Sequence, residues 1–126
     1  QDLFLAAQAT RGDLSELEYR SARAMDLQSA KQRGLDAYMT RHKLDAVVFP
    51  GWSGAYISAK AGYPSVQVPA GFRSERIGEK GGKETPDFPL GLTFAGRAWS
   101  EAKLLRLAYA YEQASTARRP PRGLTP

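Results

Sequence analysis

The spacing of apolar residues changes period several times along the chain. Near the end, Leu104, Leu107, Ala108, Tyr111 and Ala114 recur at offsets of three and four, Leu105 widens the stripe, and Lys103, Arg106 and Gln113 fall opposite. That is the helical period. Ser100 precedes the stripe as an N-cap whose hydroxyl can accept from the N–H of Ala102 or Lys103. Glu101 suits the positive helix end, Arg118 and Arg119 suit the negative one, and Pro120 and Pro121 stop the helix. Burying Leu104, Leu105, Leu107 and Tyr111 is worth about 6–12 kcal/mol before entropy, so this helix docks on a core. Glu112 lies inside the apolar arc, and a buried carboxylate needs a partner. It reads as half of a structural ion pair with Arg97, or as an edge residue, ahead of an active acid.

Upstream, residues 2–10 form a short apolar helix. A long helical stretch follows over 14–42, with Ser15 and Glu18 spaced as a capping box. Leu14, Leu17, Met25, Leu35 and Met39 share one side, but Ser21, Gln28 and Gln32 interrupt it. A stripe broken this often predicts a helix at a surface, or one facing a partner outside the chain. Gly34 predicts a kink, because glycine weakens a helix interior.

At 44–50, "LDAVVFP" is a nearly continuous apolar run ending in Pro50, as in a strand covered on both faces. A loop, a short helix and a turn at Gly62, Tyr63 and Pro64 come next. "SVQVPAGF" at 65–72 predicts a second strand, with Pro69 at a strand end or a bulge. Residues 73–89 are polar, charged and glycine-rich, and read as a surface excursion. Gly81 and Gly82 lack phosphate-loop spacing. "LGLTFAG" at 90–96 predicts the third strand. The pattern predicts an α/β fold: a small mixed sheet of about three strands covered by helices.

Composition narrows the function classes. The 126 residues are 42% hydrophobic and 25% charged, which one globular domain can use. No apolar run approaches the roughly 18–20 residues of a membrane helix, and the start shows no secretory pattern. The first residue is Gln1, which suggests a piece of something longer. The absence of cysteine excludes disulfide and thiolate chemistry, and fits a reducing, cytoplasmic setting. Three of the net +5 charges sit at Arg118, Arg119 and Arg122, a short tail that reads as solvated and not as a nucleic-acid stripe.

Candidate chemistry is sparse. His42, between Arg41 and Lys43, is the single histidine and reads as a surface residue. No clustered metal ligands and no G-x-S-x-G elbow occur, so no metal or cofactor is expected. Ser53, in "GWSGA" just past the first strand, has the most nucleophile-like position, but no base stands near it in sequence, and a turn serine is the simpler reading.

Three stretches taken together are more specific. "LDAVVFP", then "AGYPSVQVPAGF", then "PLGLTFAGRAWSEAKLLRLAYAYEQASTARRPP" resemble the C-terminal part of the amidase signature family. Its members show a D-A-x-x-x-P strand, a G-x-P-x-x-x-V-P-x-G segment, a G-L-x-F-x-G-R strand and an S-E-x-x-L-L-x-x-A-x-x-x-E helix. All four appear in order over 44–121, while 14–43 fits the family's preceding helix only loosely. The resemblance implies that 1–126 is a C-terminal portion of an amidase domain. It would comprise a helical lead-in (1–43), a strand and helix scaffold (44–121) and a tail (122–126), all part of a larger α/β sandwich.

What the resemblance implies is hydrolysis of carbon–nitrogen amide bonds by a serine nucleophile, activated through a cis-serine and a lysine, with no metal. The stretch that carries those residues has no counterpart here, so no position is assigned a catalytic role, Lys60 and Lys103 included. The isolated chain is then expected to be structural and inactive. Its expected partners are the remainder of the amidase domain and, in the full enzyme, a small-molecule amide. Neither nucleic acid nor membrane is expected, and homo-oligomerisation stays open. Some relatives serve tRNA-dependent transamidation, a role no residue here selects. Trp52, Ser53 and Tyr56 follow a strand's carboxyl end, where α/β proteins place ligands, and are candidates for the cleft border as well as for a packing loop. The rival reading is a self-standing, non-catalytic α/β scaffold or interaction module.

Overall fold

A computed structural model of the chain describes residues 1–76 and 84–120. Helix α1 is Asp2–Gln8 and α2 is Leu17–Asp26. A π-helical stretch, Leu27–Asp36, follows and breaks at Gly34 (φ −92°, ψ −106°) before α3, Ala37–His42. Strand β1 is Val47–Pro50, α4 is Ser53–Ala61, β2 is Ser65–Arg76, β3 is Glu84–Ala95 and α5 is Glu101–Ser115.

The three strands form one sheet in the order β1-β3-β2, so the last strand in sequence is the central one. Both pairings are antiparallel, which replaces the expected mixed sheet. On β3, Leu92 and Phe94 point to one face and join Val66 and Val68 of β2 beneath Leu104, Ala108 and Tyr111 of α5. By alternation Thr93 and Ala95 take the other face, where α4 packs. The Pro69–Gly71 register shift supplies the bulge that Pro69 predicted.

The lead-in helices are tied to this layer by polar contacts. Arg23 Nη1 donates to the Lys60 carbonyl at 2.6 Å, and Lys60 Nζ meets Asp26 at 2.7 Å. Tyr63 Oη donates to Asp36 Oδ1, and Arg97 donates to Thr40 Oγ1 and to the Asp36 carbonyl. Gly34 is the predicted kink, and beyond it Leu35 and Met39 are buried, while Leu14, Leu17 and Met25 stay exposed. The interrupted stripe thus divides into a docked end and a bare end.

Several local expectations are corrected. The capping box does not close: Glu16 is the N-cap residue of α2 and Ser15 lies one position outside it. The Ser15 N–H donates to Asp13 and Glu16 Oε1 accepts from the Arg11 N–H. Ser100 does not cap α5 with its side chain, because its backbone (φ −98°, ψ 12°) is off the extended geometry that an N-cap needs. Its hydroxyl donates back to the Arg97 carbonyl at 2.6 Å. Helix α5 ends at Ser115 with Thr116 left-handed, so Arg118 and Arg119 lie beyond its last turn. Arg119 is exposed and stacks its guanidinium over the Phe72 ring at 4.0 Å. Arg122 lies outside the described residues.

Leu104 is fully buried, but Leu105 and Leu107 are exposed, so the docked stripe is narrower than predicted. Arg97 pairs with Asp36 at 3.8 Å and not with Glu112. The excursion over 73–89 is mostly hairpin: β2 runs to Arg76 and β3 starts at Glu84, while Gly81 and Gly82 lie outside the described residues.

Candidate functional site

Pro50 ends β1, and the chain turns through Gly51 at φ +59°, a conformation that favours glycine. Two bonds fasten this turn to β3. The Gly51 N–H donates to the Gly91 carbonyl at 2.7 Å, and Thr93 Oγ1 donates to the Gly51 carbonyl at 2.5 Å. Helix α4 starts tight against β1: a Cβ on buried Gly54 would lie 2.6 Å from Phe49 Cδ2. The loop that carries the sequence candidates is therefore held by a backbone bond to Gly91, by the Thr93 hydroxyl and by close packing on Phe49.

Trp52 and Tyr56 come together in a T-shaped pair, with ring centroids 5.1 Å apart and planes at 66°. They are 63% and 61% exposed, so the pair forms an aromatic surface at the carboxyl end of β1. Ser53 stands beside it, but its hydroxyl donates to the Pro50 carbonyl at 2.8 Å. Among the described residues no histidine, lysine or carboxylate hydrogen-bonds Ser53, so nothing there would draw off its proton. His42 lies with its ring against Tyr38 at 4.5 Å, Lys60 pairs with Asp26, and Lys103 pairs with Asp45. What the loop offers is aromatic surface and fixed backbone.

Two residues of this region carry no sequence motif of their own. Thr93 is buried, and its hydroxyl holds the Gly51 turn. Gln67 is exposed on β2 opposite Thr93, and its carboxamide lies directly over Gly91. In sequence each appears only as a polar position between apolar ones. Their roles depend on cross-strand register, which no local pattern encodes. Among the described residues there is no group of three or more His, Asp or Glu side chains that could hold a metal, and no helix is long and apolar enough to cross a membrane.

No protein-family model matches the chain. Individual proteins do. A probable amidase of Arabidopsis thaliana is 36% identical over 122 residues, which are 97% of this chain and 21% of that protein. A glutamyl-tRNA(Gln) amidotransferase subunit of Synechococcus sp. (strain JA-2-3B'a(2-13)) is 40% identical over 65 residues, 50% of this chain and 10% of that one. The crystal structure of the peptide amidase of Stenotrophomonas maltophilia superposes with a TM-score of 0.73 at 40% identity, over 99% of this chain and 26% of that chain. Strand order, closing helix and aligned sequence together define a fragment of an α/β amidase fold. The chain belongs to the amidase signature family, and it spans only about a fifth to a quarter of the length of the plant amidase and the peptide amidase.

Proposed function

We propose that the chain is the C-terminal part of a serine amidase that hydrolyses carbon–nitrogen amide bonds, with its Ser/cis-Ser/Lys machinery in a segment outside the 126 residues. The observation that carries this reading is a mismatch of coverage. Nearly all of the chain aligns with a probable amidase, yet it accounts for 21% of that protein. The hydrogen bonding agrees: Ser53 directs its proton to a backbone carbonyl, and Lys60 and Lys103 are engaged in ion pairs. In the full enzyme this segment supplies the scaffold, and Trp52, Ser53 and Tyr56 border the substrate cleft.

Alignment to the amidotransferase protein stops at half of the chain, whereas alignment to the plant amidase and the peptide amidase runs almost throughout. That favours a free-standing amidase acting on small amides, peptide amides included, over a component of a transamidation complex. The test is an amide-hydrolysis assay on residues 1–126 alone beside the full-length enzyme, with a panel of peptide amides and simple carboxamides. The full-length enzyme should turn over and the 126-residue chain should not. Hydrolysis by the isolated chain at an enzymic rate overturns the reading.

A further inference from the structure

We propose that Gln67 is a substrate-binding residue whose side-chain carboxamide hydrogen-bonds the amide group of the substrate. This rests on the amidase reading above and names the group in this region that would recognise the amide.

Gln67, Thr93 and Phe49 form a row across the sheet, since Thr93 is the register partner of both of the others. Helix α4 covers the Phe49 and Thr93 end of the row, and the Gln67 end is open. The exposed carboxamide lies close to the β3 backbone. A Cβ on Gly91 would collide with Gln67 Nε2 and would lie 2.8 Å from Cδ and 3.1 Å from Cγ. The side chain thus occupies room that only a glycine at position 91 leaves, close over the β3 backbone.

The protein itself engages this exposed carboxamide only weakly. Thr93 Oγ1 lies 3.4 Å from Gln67 Oε1, but a hydroxyl has one proton, and the 2.5 Å contact to the Gly51 carbonyl takes it. Gln67 Nε2 has no hydrogen-bond partner among the described residues. A carboxamide has two N–H donors and an acceptor oxygen, the complement of an amide's C=O and N–H. The carbonyl of Gly91 accepts from the Gly51 N–H, so the lodged carboxamide is one backbone bond away from the turn that leads into Trp52 and Ser53. An open groove of about 570 Å³ beside it, lined by Pro69, Phe72, Leu90 and Arg119, has room for the acyl portion of a small amide.

The test uses the full-length enzyme and two substrates with the same acyl group, a primary amide and its methyl ester. The ester lacks the N–H that Gln67 Oε1 would accept. Gln67→Leu should lower kcat/KM for the amide about tenfold more than for the ester, mainly through KM, because the ester keeps the C=O that Nε2 would serve and lacks only the N–H, one hydrogen bond of difference. Gly91→Ala, which displaces the carboxamide, should reproduce the selective loss, and Gln67→Glu, which keeps an acceptor, should retain most of the amide preference. Equal losses on amide and ester, or no loss on either, overturn the assignment. A wild-type enzyme that cleaves the ester and no amide instead overturns the amidase reading, and this assignment falls with it.

Discussion

Tyr63 Oη donates a 2.8 Å hydrogen bond to Asp36 Oδ1, across 27 residues of sequence, and so joins the helical lead-in to the start of β2. Burial first, and then this bond to a carboxylate, push the Tyr63 phenol up to about 12. The raised value means that the folded protein keeps a proton the unfolded chain releases near pH 10. The stabilisation is complete below about pH 10 and is lost as pH rises from there through about 12. Tyr63→Phe should cost about 1–2 kcal/mol at pH 8, and the gap between the two proteins should close by pH 11. Urea midpoints at the two pH values measure this, and an equal gap at both would refute it.

Gly34 breaks the lead-in helix, and a Cβ there would lie 2.7 Å from the backbone oxygen of Ser29. In a straight helix, Gly→Ala stabilises by up to about 1 kcal/mol. Here the obstructing atom is backbone and cannot rotate aside. Gly34→Ala should therefore destabilise, by about 1–3 kcal/mol, and lower the melting temperature. A rise would show that the kink is dispensable.

Trp52 and Tyr56 present an edge-on aromatic pair to solvent at the end of β1. If the pair borders the cleft, Trp52→Ala in the full-length enzyme should raise KM or reorder preference among peptide amides, with folding retained. Unchanged kcat/KM across the panel would assign the pair to packing alone.

Lys103 Nζ and Asp45 Oδ1 are 2.5 Å apart, but their side chains are 55% and 71% exposed. Water and salt screen such a pair, and ordering two long side chains offsets the attraction. Asp45→Asn should change unfolding free energy by less than about 1 kcal/mol, with the difference shrinking in 1 M salt. A larger, salt-independent loss would point to a structural role beyond the ion pair.

The apolar periods made α5, β1 and the core of β2 and β3 legible, because Leu104, Val68 and Phe94 follow helix and strand spacing. The caps were not legible. Whether Ser100 accepts from the helix or donates to Arg97 depends on its ψ angle, which its neighbours set. The first half of β3, "ETPDFP", carries charge and two prolines, and its pairing with β2 overrides its local preference. The cleft-border candidates could be found from their place after a strand. The Gln67 and Gly91 relationship could not, because it exists only once two distant strands are in register. The four-part motif was legible as a family pattern, and the relatives it pointed to are amidases.

The strand order has a consequence for biosynthesis. Strands β1 and β2 do not pair with each other, and both take their hydrogen bonds from β3, which is made last. On the ribosome, at about 5–20 residues per second, neither of the first two strands meets its β3 partner until the third emerges. A nascent chain stalled before Glu84 holds two strand segments that still lack β3, and is the species from which a chaperone or a protease would profit.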